Sequence, residues 1–177
     1  NDDYCGLQSR ATFTSNGNPV RVLIDKYYCA NQSSCMTLTA TRLSAPVANP
    51  CNSSINLTCG SVGTYSLSGS GAWNNLGGPW STPGEEQVFS FTPTLTGTHQ
   101  VQVVHQGGYY VDLYAKAGSC SSTGWTYLTD IFSSVTGTIT LTAGVTYYFL
   151  IDDENTTASN GAIQITCPVP VNPCNSV

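Results

Sequence analysis

Thr138-Ile139-Thr140-Leu141-Thr142 and Ala162-Ile163-Gln164-Ile165-Thr166-Cys167 each place an aliphatic residue at every second position. Side chains along an extended chain point alternately to opposite faces, so each stretch reads as a strand with one face buried and one wet. Gln87-Val88-Phe89-Ser90-Phe91-Thr92 follows the same rule, with Phe89 and Phe91 inward beside Gln87 preferred over the offset set that contains Val88. Working outward from these, strands are expected at 53–59, 64–70, 87–92, 98–105, 109–116, 125–132, 137–142, 145–152 and 162–167. Turn signals separate them: Gly77-Gly78-Pro79, Thr82-Pro83-Gly84, Gly107-Gly108, Ala143-Gly144 and Asn160-Gly161. Short strands at this spacing predict an all-β fold, a two-sheet antiparallel β-sandwich or jelly roll.

Composition agrees. Ser, Thr, Gly and Asn are plentiful, good helix formers are scarce, and ten Tyr, five Phe and three Trp supply apolar bulk. Charged residues make up only 8% of the 177, with five Lys+Arg against ten Asp+Glu. Without clustered cations the chain has no footprint for nucleic acid or for an anionic membrane surface. No run of 18 apolar residues exists, so membrane insertion is not expected. Asn1 is not a start residue, which reads as a mature or trimmed product.

Eight cysteines, Cys5, Cys29, Cys35, Cys51, Cys59, Cys120, Cys167 and Cys174, lie scattered among polar segments without zinc-type pairs. They read as disulfides made in an oxidising, extracellular or cell-surface setting. Cys29–Cys35 is the expected local bridge, Cys51 or Cys59 with Cys167 would join the first and last strands, and Cys5–Cys174 would staple the termini. Asn31, Asn52, Asn56 and Asn155 stand in N-x-[ST] sequons and are candidate glycosylation sites.

The chain divides by pattern into 1–50, a β-rich extension, and 51–177, a sandwich module with a C-terminal linker. Asn49-Pro50-Cys51-Asn52-Ser53 recurs as Asn172-Pro173-Cys174-Asn175-Ser176 after one module length. Thr12-Phe13-Thr14 followed by Val22-Leu23-Ile24-Asp25 echoes Thr140-Leu141-Thr142 followed by Phe149-Leu150-Ile151-Asp152. Fifty residues are too few to bury a core, so the extension is expected to pair with a sheet edge. It also carries four of the five cations, whereas the remainder has Lys116 against seven acids.

Several stretches resemble bacterial secreted pre-peptidase C-terminal-type sandwich modules and their relatives in adhesins and surface arrays. They are Gly69-Ser70-Gly71-Ala72-Trp73, Thr82-Pro83-Gly84-Glu85-Glu86-Gln87-Val88-Phe89-Ser90-Phe91-Thr92-Pro93, Thr96-Gly97-Thr98, Tyr110-Val111-Asp112-Leu113-Tyr114 and Leu141-Thr142-Ala143-Gly144-Val145-Thr146-Tyr147-Tyr148-Phe149-Leu150-Ile151-Asp152. The resemblance spans roughly Cys51–Cys167 and implies a non-catalytic sandwich.

Candidate sites are few. His99 and His105, six apart, share a strand face, and their expected place is an edge or surface strand. No nucleophile motif accompanies them, so no catalytic residue is assigned and the chain is not expected to be an enzyme. Trp73, Trp80 and Trp125, with Tyr109 and Tyr110, are candidates for a sugar-stacking platform, against the alternative of packing. Asp152-Asp153-Glu154 ends a strand, Glu85-Glu86 sits in a turn, and Asp112 and Asp130 could join if the fold brings them near. Calcium is the ion such oxygens would suit, against the alternative of solvated acidic turns; no other cofactor is implied. The function expected is that of an extracellular structural protein, a subunit of a fibre or surface array whose partners are other copies of itself through β-strand addition. Ala11–Asp25 and Met36–Arg42 are the candidate donor strands. The alternative is a non-catalytic, glycan-binding adhesion module.

Overall fold

The computed structural model describes residues 48–169. Among these, a single 3-10 turn, Pro50–Ser53, precedes nine strands: β1 Ile55–Leu57, β2 Val62–Leu67, β3 Glu86–Phe91, β4 Gly97–Gln106, β5 Val111–Ala117, β6 Thr126–Ile131, β7 Ser134–Leu141, β8 Tyr147–Asp153 and β9 Ser159–Thr166. They form a five-stranded sheet, β1-β3-β8-β5-β6, and a four-stranded sheet, β2-β9-β4-β7. Only the β1–β3 pair is parallel. All nine expected strands are present, displaced at their ends by a few residues.

The two sheets bury one core between them. Leu57, Phe89, Phe91, Val111, Leu113, Phe149 and Ile151 from the larger sheet meet Tyr65, Leu67, Val101, Val103, Leu141, Ile163 and Ile165 from the smaller. Each fully buried aliphatic or aromatic side chain contributes about 1.5–3 kcal/mol relative to exposure, so this layer dominates stability. Ile163, Ile165 and Leu141 point inward as their alternation requires, while Ile139 is only half-buried near the sheet margin.

Alternation fails on the larger sheet for a specific reason. Phe89 and Phe91 face the inter-sheet core as expected, but Val88, on the other face, is also fully buried. Val88, Tyr114, Trp125 and Leu150 form a second apolar cluster with Trp73 and Leu76 from the 68–85 segment. That long β2–β3 connection covers the outer face, and five consecutive residues of β5, Val111–Ala115, are buried as a result.

Two disulfides tie the module together among the described residues. Cys59–Cys167 joins the end of the β1 segment to the residue after β9, one of the two pairings expected for Cys167. Cys51 instead pairs with Cys120, a partner that sequence separation did not single out. The expected Cys29–Cys35 and Cys5–Cys174 bridges lie outside the described residues, as does Asn31.

Candidate functional site

The acids read as calcium ligands or, in the alternative, as solvated turn residues, and the fold instead buries Glu86, Asp112, Asp152 and Asp153. Register places Glu86 opposite Asp152, Asp152 opposite Asp112, and Asp112 opposite Asp130, across β3, β8, β5 and β6. Directly opposed residues on adjacent strands project to the same face. Four carboxyl groups therefore form one row along one end of the larger sheet. Asp112 and Asp152 have no exposed surface, Glu86 is buried, and Asp130 is exposed at the edge.

The 68–85 segment closes over the row by donating to it. Ala72 N and Trp73 N both reach Glu86 Oε1 at 2.9 Å, and Thr82 Oγ1 donates to Asp152 Oδ2 at 2.7 Å. Tyr114 Oη donates to Asp112 Oδ2 at 2.8 Å. The segment lies too close for side chains at two glycines. A Cβ at Gly78 would stand 2.3 Å from Tyr114 Oη, and one at Gly71 would stand 1.9 Å from the Gly84 carbonyl oxygen.

Burial raises these acids, since desolvation disfavours the charged form. Glu86 is pushed up to about 7 by burial, although the Ala72 and Trp73 amides work against it. Asp112 rises to about 6, by burial against the Tyr114 hydrogen bond. Asp152 rises to about 9, again chiefly through burial, with Glu86, Asp112 and Asp153 adding repulsion.

Asp152, Asp153 and Glu154 do not converge on one point. Consecutive strand residues face opposite ways, so Asp152 joins the row while Asp153 Oδ2 takes a 2.5 Å bond from Ser159 Oγ and Asp153 Oδ1 accepts from Asn155 N. Glu154 is half-buried and is raised to about 7 by burial, with Asp112, Asp130 and Asp153 adding to it. Among the described residues no set of three or more His, Cys, Asp or Glu is placed to hold a metal ion.

Both histidines share a face, as their spacing requires, but that face is buried and not an edge. His99 packs against Phe91, with its ring centroid 5.7 Å away. His105 Nε2 donates to the Tyr109 carbonyl at 2.9 Å, which leaves Nδ1 to accept from Tyr65 Oη at 3.0 Å. With both nitrogens engaged and the ring enclosed, His105 fixes the base of the β4–β5 loop.

The three tryptophans do not share a surface. Trp125 is buried and donates Nε1 to the Ser121 carbonyl, and Trp73 packs on it at 6.1 Å. Only Trp80 stands free, 57% exposed. The exposed aromatic surface lies instead at Tyr109, Tyr110 and Phe132, with Tyr110 and Phe132 centroids 5.0 Å apart. Phe132 escaped the sequence reading because it looked like the end of a strand; the two-residue β6–β7 connection, Phe132-Ser133, turns it outward. Glu154 N donates to the Tyr110 carbonyl and so ties the end of β8 to the chain at Tyr110. Asn52 and Asn56 are exposed, whereas Asn155 Oδ1 accepts from Thr157 N and Oγ1.

Comparison with solved structures finds distant similarities. The module is similar to the pre-peptidase C-terminal domain of a collagenase from Bacillus anthracis. The two share 11% identity and a TM-score of 0.47, over 70% of this chain and 99% of that one. A second similar structure is the Yersinia pseudotuberculosis-derived mitogen, at 15% identity and a TM-score of 0.37, over 64% of this chain and 92% of that one. No family model and no curated protein matches the chain.

Proposed function

We propose that this chain is an extracellular structural module that assembles with copies of itself by β-strand addition. The observation that carries the reading is the outer edge of β7. Its register with β4 runs without a shift from Gly97↔Leu141 to Val104↔Ser134, and its other side pairs with no strand among the described residues. The eight residues Ser134–Leu141 contain no charge and no proline. Sheet edges are normally guarded by lysines, prolines or bulges, because an open row of N–H and C=O groups templates another strand. An unguarded edge of this length fits a protein that uses it. Met36–Arg42, with its clean alternation, is the segment of a second copy that would add there. The two disulfides suit an oxidising exterior.

Light scattering and negative-stain microscopy of the purified chain test this. Large regular assemblies are expected, and they should disappear when Thr136→Lys and Thr138→Lys place charges on the exposed face of β7 while far-ultraviolet circular dichroism stays unchanged. A chain that remains monomeric at its highest soluble concentration would end the proposal.

One observation favours a second reading, a non-catalytic glycan-binding module: the exposed Tyr109, Tyr110 and Phe132 rings offer stacking faces. Glycan binding lost in Tyr110→Ala with Phe132→Ala, in a protein that stays monomeric, would support it over assembly.

A further inference from the structure

The buried acid row has a feature that neither packing nor assembly uses. Asp112 Oδ1 and Asp152 Oδ1 are both fully enclosed and meet no hydrogen-bond partner among the described residues. The two residues are directly opposed on β5 and β8, and each spends its other oxygen on a donor, Tyr114 Oη or Thr82 Oγ1. Two opposed carboxylates in a low-dielectric interior repel each other strongly, and each free oxygen left there is costly. One proton removes both problems, because a carboxylic acid donates where a carboxylate accepts.

We propose that Asp112 and Asp152 share a single proton, Asp152 donating an O–H to Asp112 Oδ1, and that this proton latches the 68–85 segment onto the sheet. The pair then carries one negative charge in place of two. Loss of the proton to base leaves both ionised, with Glu86 beside them, and drives apart the sites to which Thr82, Ala72 and Trp73 are bonded. Opening uncovers Val88, Leu150 and Trp125, so the module presents an apolar face only after deprotonation. The upward displacement of Asp152 exceeds that of Asp112, which agrees with the proton residing on Asp152.

Among the described residues the surroundings supply acids and no free cation. Glu86 on β3, Asp130 and Tyr127 on β6, Tyr114 on β5, and Asp153 and Glu154 at the end of β8 are the titratable groups whose fields reach the pair, and the covering segment adds Glu85 beside Glu86. Lys116, four residues along β5 from Asp112, is committed to Ser121 Oγ and the Thr123 carbonyl. His105 lies on the Asp153 side, where its nitrogens bond Tyr65 and Tyr109.

Tryptophan fluorescence and amide exchange at Ala72 and Trp73, corrected for intrinsic base catalysis, test the latch between pH 5 and 10. In the wild type, fluorescence should shift between about pH 7 and 9 while far-ultraviolet circular dichroism holds. Below that transition, where the closed form keeps the proton and the open form has lost it, the open fraction should grow roughly tenfold per pH unit, and above it the growth should level off. In Asp112→Asn the amide donates to Asp152 in place of the proton, and the transition should vanish. Asp152→Asn keeps the Thr82 bond and should do the same, so it serves if the first variant does not fold. A transition unchanged in the variant would overturn the proposal. So would opening caused by a chelator at constant pH 6, which would mean that a metal ion and not a proton joins the pair.

Discussion

Removing the Cys59–Cys167 bridge, as Cys59→Ser with Cys167→Ser, should destabilise the module by roughly 4 kcal/mol. The native contacts near the bridge do not depend on it. Gly60 N still donates to the Ile165 carbonyl at 2.8 Å, and Gln164 Nε2 still donates to the Gly60 carbonyl at 2.8 Å. The effect therefore sits in the unfolded chain, which gains freedom when the cross-link is cut. The direct separation is 108 residues, but the Cys51–Cys120 bridge offers a shorter circuit. From Cys59 back to Cys51 and from Cys120 on to Cys167, that circuit contains about 55 residues, and closing such a loop is worth about 4 kcal/mol in the chain-entropy account. Cys51→Ser with Cys120→Ser opens the same circuit, so the two variants should lose about equal stability despite direct separations of 69 and 108. The assay is urea denaturation at pH 6 under oxidising conditions, followed by fluorescence and circular dichroism together. A midpoint shift equivalent to less than about 1 kcal/mol would refute the reasoning, and so would a large loss accompanied by altered native spectra.

Stability should fall as pH rises from 5 to 8. Groups with raised folded-state values, Glu86, Asp112 and Asp152, are protonated in the native state at pH values where the unfolded chain has lost its protons; each retained proton removes about 1.4 kcal/mol per pH unit in that window, as denaturation at several pH values would show. Phe89→Ala removes the fully buried ring at the centre of the larger sheet and should cost about 3–5 kcal/mol by the same assay. Gly78→Ala forces a methyl against Tyr114 Oη and should cost about 1–3 kcal/mol while red-shifting tryptophan emission as the covering segment lifts. Tyr110→Ser with Phe132→Ser touches only exposed rings, so the melting temperature should move little, whatever happens to ligand binding.

Alternation in Thr138–Thr142, Ala162–Cys167 and Gln87–Thr92 determined the strands and the all-β class, because a strand's side-chain period is a local property of the backbone. Cysteine count and spacing determined that disulfides form, and one pairing of Cys167 was among those expected. What remained was decided by contacts between residues far apart in the chain. Val88 is buried because the 68–85 segment crosses the sheet, and nothing within 87–92 encodes that cover. Trp73 and Trp125 pack on each other although they stand 52 positions apart in the chain, so neither could be ranked against Trp80 beforehand. Glu86, Asp152, Asp112 and Asp130 could be named as acids that would meet only if the fold brought them near, and strand order and register alone lined them up. Register depends on turns, sheet order and the whole core at once, and a one-residue slip would have turned every one of those carboxyl groups to the other face. Local chemistry thus set the elements, while their pairing set which charges meet in the dark.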